Sequence, residues 1–130
     1  MKYLLDTNIL IDFFRNDKKT VKLIAKTAKD GFALNVITVA EYLVGAHKST
    51  SPLKNIQNFE DFLKSNDIPI IDINSNIAYE YAHQLSVLEQ QGQKIAGFDM
   101  LIAASAITHK LILISNDKAF GRIKDLKILK

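Results

Sequence analysis

The chain has 130 residues, 48% of them hydrophobic and 24% charged, with only 2 Pro and 5 Gly. That makeup fits one packed domain, able to bury roughly two-thirds of its unfolded surface, and excludes a disordered or fibrous chain. With 0 Cys there is neither a disulfide framework nor a thiolate metal site, and 3 scattered His do not make a zinc site. The net charge of +3 is a mild excess that points only weakly to an anionic partner.

Residues 2–6, KYLLD, read as a strand, and a short helix is expected over 8–15. Asp6, Asn8 and Asp12 interrupt this apolar start too early for a signal-peptide core, and no apolar run reaches about 18 residues. A cytoplasmic protein without a membrane span is therefore expected. Residues 18–30 read as a helix with Val21, Ile24, Ala25 and Ala28 on one face, Lys18, Lys22, Lys26 and Lys29 on another, and Gly31 as its stop. The lysine row reads first as a solvated face and second as an RNA-backbone contact.

Residues 32–37 form a second expected strand, and Thr38 opens a helix to about Lys48. Ser51-Pro52 looks like an N-cap followed by Pro at the first helical position, with Leu53, Ile56, Phe59 and Leu63 facing inward. IPIIDI at 68–73 reads as a buried third strand. Residues 74–91 follow as a helix burying Ile77, Tyr81, Leu85 and Leu88. A mostly apolar helix over 99–109 leads into a fourth strand at 111–115, and 126–129 supplies a fifth at the edge. Strands apolar on both faces and separated by helices imply parallel pairing with both faces covered. The expected fold is a three-layer α/β/α sandwich around a mainly parallel sheet of about five strands, in a single domain over 1–130.

In open parallel sheets, sites form beyond the carboxyl ends of the strands. Asp6 ends the first strand, Glu41 lies in the first turn after the second, and Asp117 sits two residues past the fourth. Asp99 opens the helix leading into that strand, so the same edge is permitted to it rather than required. Each acid also has a plainer reading. Asp6 and Asp99 suit helix caps, Asp117 suits a turn, and Thr38-x-x-Glu41 has the form of a capping box. Asp72, at the end of the third strand, and His47, His83 and His109 read as structural.

What raises the functional reading is the convergence of four carboxylates with almost no base beside them in sequence. Such a cluster is strongly unfavourable unless a cation compensates it, and oxygen-only ligands suit Mg²⁺ or Mn²⁺. Setting the four acids aside leaves 17 basic residues against 10 acidic ones. An acidic metal pocket in a basic body suits a polyanionic substrate.

With Asp6-Thr7-Asn8, Glu41, Asp99 and Ser115-Asn116-Asp117 in view, the chain resembles the PIN-domain ribonucleases, and among them the VapC-type toxins of toxin–antitoxin pairs. LLDTNILIDFFR, ITVAEYLVGA, GQKIAGFDMLIAASAI and LILISNDKAF occur in that family's order and spacing along the whole chain. The resemblance implies a Mg²⁺- or Mn²⁺-dependent endoribonuclease, a homodimer, and a cognate antitoxin that inserts a peptide into the active-site groove. It assigns Asp6 and Asp99 as principal metal ligands and has Glu41 and Asp117 complete the catalytic acidic pocket. Thr7, Asn8 and Ser115 would orient ligands or substrate, with Asn116 in support. Cleavage would leave 5′-phosphate and 3′-hydroxyl ends on an RNA, and a structured RNA such as tRNA is a family-level expectation. One departure stands out: Ala119 occupies the place where many relatives carry an acid or His before the Phe of the last block.

The main rival is a catalytically silent PIN-like module that binds RNA or protein and keeps its acids as caps. A phosphatase of the haloacid-dehalogenase type would want a second Asp where Asn8 stands. A receiver domain would want an acidic pair after the first strand and a phosphorylatable Asp after the third, where Asp72 is the lone candidate.

Overall fold

The computed structural model describes residues 1–129, so Lys130, the last residue of the expected domain, lies outside it. Five strands, β1 (Tyr3–Leu5), β2 (Phe32–Asn35), β3 (Ile70–Ile71), β4 (Ile112–Ile114) and β5 (Ile128–Leu129), form one sheet in the order β3-β2-β1-β4-β5. Every neighbouring pair is parallel. Six α-helices connect them: α1 (Thr7–Phe14), α2 (Lys18–Thr27), α3 (Val36–His47), α4 (Pro52–Ser65), α5 (Ser75–Gln90) and α6 (Gly97–Thr108). Among the described residues no helix is long and apolar enough to cross a membrane.

Alternation along the strands builds the two outer layers. Tyr3, Leu5, Phe32, Leu34 and Ile114 pack with Ile9 and Leu10 of α1, Ile24 of α2 and Phe59 of α4. Leu4, Ala33 and Leu113 point the other way, to Ile77 and Leu88 of α5 and to Met100, Ala103 and Ala104 of α6. A period of two on a strand buried on both sides produces this division. The parallel α/β/α sandwich expected from the sequence is the fold observed.

This strand order decides where a site can form. From β1 the chain moves to β2 on one side, whereas from β3 it returns across the sheet to β4 on the other. The crevice between β1 and β4 is thus a topological switch point, where ligands settle beyond the strands' carboxyl ends.

Several local expectations need correction. β2 stops at Asn35, two residues short of the expected end, because Asn35 caps α3 by accepting a 2.7 Å hydrogen bond from the Ile37 N–H. Thr38 therefore lies inside the helix, so the capping-box reading of Thr38-x-x-Glu41 fails, and Glu41 sits in the second turn of α3 rather than the first. Leu53 is 86% exposed rather than packed, since Phe59, Phe62 and Leu63 meet the core from α4 and the helix's first turn projects beyond it. Pro52 does occupy the first helical position, but the Ser51 side chain makes no capping bond. The third strand shrinks to two residues, because it is an edge strand paired only with β2. α2 buries Thr20, Ile24 and Thr27 and leaves Ala25 and Ala28 exposed, the chain tightening into a 3₁₀ turn at Ala28–Asp30. Gly31 ends that turn at φ +82°, where a Cβ would also meet the Met1 Cα at 3.1 Å.

Candidate active site

Asp6 leaves β1 and caps α1. Its carboxylate is 4% exposed, and both of its oxygens are engaged. Oδ1 accepts from the Thr7 N–H at 2.8 Å, and Oδ2 accepts from the Ser115 hydroxyl, also at 2.8 Å, across the β1–β4 crevice. The Ser115 hydroxyl oxygen in turn accepts from the Asp117 N–H at 3.0 Å. Asp117 caps a 3₁₀ turn over Lys118–Arg122 through a 2.9 Å bond from the Ala119 N–H to its Oδ1. On the other side, the Thr7 hydroxyl donates to Glu41 Oε1 at 2.7 Å. One continuous set of hydrogen bonds therefore runs Glu41–Thr7–Asp6–Ser115–Asp117 and joins α3 to the ends of β1 and β4.

Asp99 stands in the first turn of α6, which begins two residues earlier than expected, at Gly97. Its carboxyl is partly buried and takes part in none of these bonds among the described residues. Its pKa is raised to about 6, first by burial and then by the charges of Asp6, Asp117 and Glu41. Asp6 is also raised, first by burial, with smaller contributions from Asp117 and Glu41. The bonds from Ser115 and Thr7 oppose that rise. Asp117 and Glu41 thus act on both Asp6 and Asp99, and no lysine or arginine among the described residues offsets either shift. Topology permitted Asp99 this edge, and the structure places it there.

Two expected residues stand apart. Asn8 and Asn116 are exposed and join none of the cluster's hydrogen bonds among the described residues. Asn116 instead lines a cavity with lysines of α2. His47, His83, His109 and Asp72 are exposed and join none of the cluster's hydrogen bonds among the described residues.

Two features escaped the sequence reading. The Asn35 amide donates to the Ser105 hydroxyl, which donates to the Leu101 carbonyl at 2.9 Å. Both side chains are fully buried, so the start of α3, which carries Glu41, is pinned to α6, which carries Asp99. An Asn closing an apolar run before a helix was the available signal. Arg15, at the end of α1, lines a groove of about 260 Å³ that also contains Glu41 and Tyr42.

The donor set was tested against a divalent cation. Its ligating atoms are carboxylate and hydroxyl oxygens, which fit Mg²⁺ or Mn²⁺ rather than zinc. Among the described residues, no three acids stand close enough to hold one ion between them. Mg²⁺ does not require that: it keeps several waters and is commonly held by one or two carboxylates. The residues fit on those terms.

Comparison with known proteins settles the family. The PIN domain family profile matches residues 3–126. The chain belongs to the PIN-domain family. This PIN domain is 34% identical over 130 residues to ribonuclease VapC2 of Haemophilus influenzae, covering 98% of this chain and 96% of that one. It is 28% identical over 128 residues to the tRNA(fMet)-specific endonuclease VapC of Shigella flexneri, with the same coverage of each chain. Among solved structures, VapBC2 of Rickettsia felis bound to a promoter DNA fragment superposes with a TM-score of 0.89 at 30% identity, covering 99% of this chain and 98% of that one. VapBC-1 of nontypeable Haemophilus influenzae gives 0.87 at 29% identity, covering 100% and 98%.

Proposed function

We propose that this PIN domain is a Mg²⁺- or Mn²⁺-dependent endoribonuclease, the toxin of a cytoplasmic toxin–antitoxin pair. The observation that carries the proposal is the gathering of Asp6, Glu41, Asp99 and Asp117 on one sheet edge, with Asp6 and Asp99 both raised by burial and by the other acids. Unfavourable like charge kept at a topological switch point is the mark of a site built for a cation. The VapC ribonucleases among its relatives point to RNA as substrate and, in view of the tRNA-specific ones, to a structured RNA such as tRNA. The VapBC complexes among its structural neighbours support a cognate antitoxin, and we include a homodimer in the proposal.

Asp6 and Asp99 are assigned as principal metal ligands, with Glu41 and Asp117 completing the metal pocket directly or through water. Ser115 fixes the Asp6 carboxylate through Oδ2, leaving its remaining lone pairs for the pocket. Thr7 fixes Glu41 in the same way. Asn8 and Asn116, exposed at the rim, are placed to meet substrate rather than metal. When bound, the ion supplies charge neutralisation at the phosphate and lowers the pKa of a bound water. Hydrolysis adds water across the P–O3′ bond and leaves 5′-phosphate and 3′-hydroxyl ends. No side chain serves as a covalent nucleophile.

A second reading has its own observation. Asp6 and Asp117 both cap, and no three acids among the described residues stand close enough to share an ion directly. A silent module that binds RNA or a protein would look the same. Calorimetric titration with Mn²⁺ separates the two: the enzyme reading expects saturable binding lost in Asp6→Asn and Asp99→Asn, and no binding by folded wild-type protein would favour the silent module.

A further inference from the structure

Beside the acidic edge lies a cavity of about 240 Å³ whose lining includes Lys19, Lys22, Lys26 and Thr20 of α2, with Asp17 and Asn116. The three lysines occur at i, i+3 and i+7, so one helix face presents them in a row roughly 4.5 and 6 Å apart along the axis. All three are exposed. Asp17 is the opposing charge, but its Oδ2 already accepts from the Thr20 N–H at 3.0 Å and the Thr20 hydroxyl at 2.7 Å in capping α2. Three lysines therefore line the cavity against one carboxylate, which also interacts with Lys19, leaving a net positive charge there.

Asn116 ties this cavity to the acids. It lies between Ser115, which holds Asp6, and Asp117. A chain running off the acidic edge past Asn116 meets the lysine row next.

We infer that Lys19, Lys22 and Lys26, with Asn116, form a phosphate-binding subsite for the RNA strand flanking the cleaved bond. The inference rests on the ribonuclease reading and adds to it where the rest of the strand lies. The acids repel a polyanion, so the substrate's other phosphates need compensation outside the cation site. Ammonium groups on a helix face hold successive phosphates without reading bases, which makes the subsite one of affinity and register rather than sequence.

The test is fluorescence anisotropy with a labelled uridine 20-mer and the Asp6→Asn protein in Mg²⁺, across a salt series. Adding Lys19→Gln, Lys22→Gln and Lys26→Gln together should weaken binding about tenfold or more near 0.1 M salt and flatten the log–log salt slope by about 2. A control triple, Lys54→Gln, Lys64→Gln and Lys124→Gln, removes the same charge from other exposed positions and should cost far less. The Lys→Arg version of the α2 triple, which keeps the charge, should bind as the parent does. Equal loss in the control triple would overturn the subsite, as would unchanged affinity and slope in the α2 triple. A defect confined to a Glu-rich 12-residue peptide, with the 20-mer unaffected, would hand the surface to a protein partner and also overturn it. Failure of the nuclease reading would register separately, as wild-type protein that cleaves no RNA while the lysine-dependent binding persists.

Discussion

Asp6 does two things at once, and its hydrogen bonds divide them. Oδ1 caps α1, while Oδ2 is held from the far side of the crevice by Ser115. The capping and functional readings of this residue are therefore compatible, and the same holds for Asp117. Ser115→Ala would leave a buried Asp6 oxygen and the Asp117 N–H without their partner. That should cost about 1–3 kcal/mol in denaturant unfolding and reduce cleavage without abolishing it. Asp99 behaves differently because no hydrogen bond or basic side chain among the described residues balances it. Its pKa, raised to about 6, means the metal-free fold holds the carboxyl proton more tightly than the unfolded chain does. The stability tied to that proton is complete below the ordinary carboxylate pKa of about 4 and is lost as pH rises through about 6. Asp99→Asn should therefore melt above metal-free wild type at pH 7.5 and lose that advantage near pH 4. A melting difference that does not change with pH would contradict this assignment. With metal present the order should reverse, because the variant gives up a ligand.

At the scale of elements, the positions of the acids depend on how helices start. Asn35 ends β2, caps α3 and donates to Ser105 of α6. Asn35→Ala should cost about 1–2 kcal/mol through the lost cap and also impair activity by freeing the Glu41 helix from the Asp99 helix. Asn35→Asp keeps the cap acceptor but not the amide donor. It should recover stability more than activity, which a paired unfolding and cleavage assay would read. The same helix start shows what the sequence could not disclose. Thr38-x-x-Glu41 satisfies the capping-box pattern, but that pattern is local, and Asn35 three residues earlier wins because its amide finds Ser105 seventy residues away. Long-range partners of this kind leave no trace in spacing. By contrast, Ile77, Tyr81, Leu85 and Leu88 were legible on α5, because a long amphipathic helix encodes its buried face in its period. Leu53 was misread from the same period, since periodicity says which face turns inward but not how far along the helix the core extends.

For the whole molecule, the strand order does the gathering. A sheet ordered β3-β2-β1-β4-β5 opens its crevice between β1 and β4, so Asp6 and Ser115 meet there, with Asp117 bonded to Ser115, despite being more than a hundred residues apart. Strand-end reasoning placed Asp6 and Asp117 from sequence alone; Glu41 sits a turn further into α3 than expected, and Asp99 needed the packing of α6. Charge is arranged on the same scale, with acids in the crevice and lysines of α2 beside it. The proposed function has a cation bind the native crevice and not the unfolded chain, so Mn²⁺ at about a hundred times its Kd should stabilise wild type by about 2.7 kcal/mol, and EDTA should reverse this. Asp6→Asn should show neither effect. The most direct test of the central claim is cleavage of total RNA from the source organism by purified, antitoxin-free protein in Mg²⁺, Mn²⁺ or EDTA, with new 5′-phosphate ends mapped by sequencing. The account predicts discrete cuts that require the metal and disappear in Asp6→Asn. Folded wild-type protein that makes no cuts, or cuts that survive EDTA and the substitution, would contradict it.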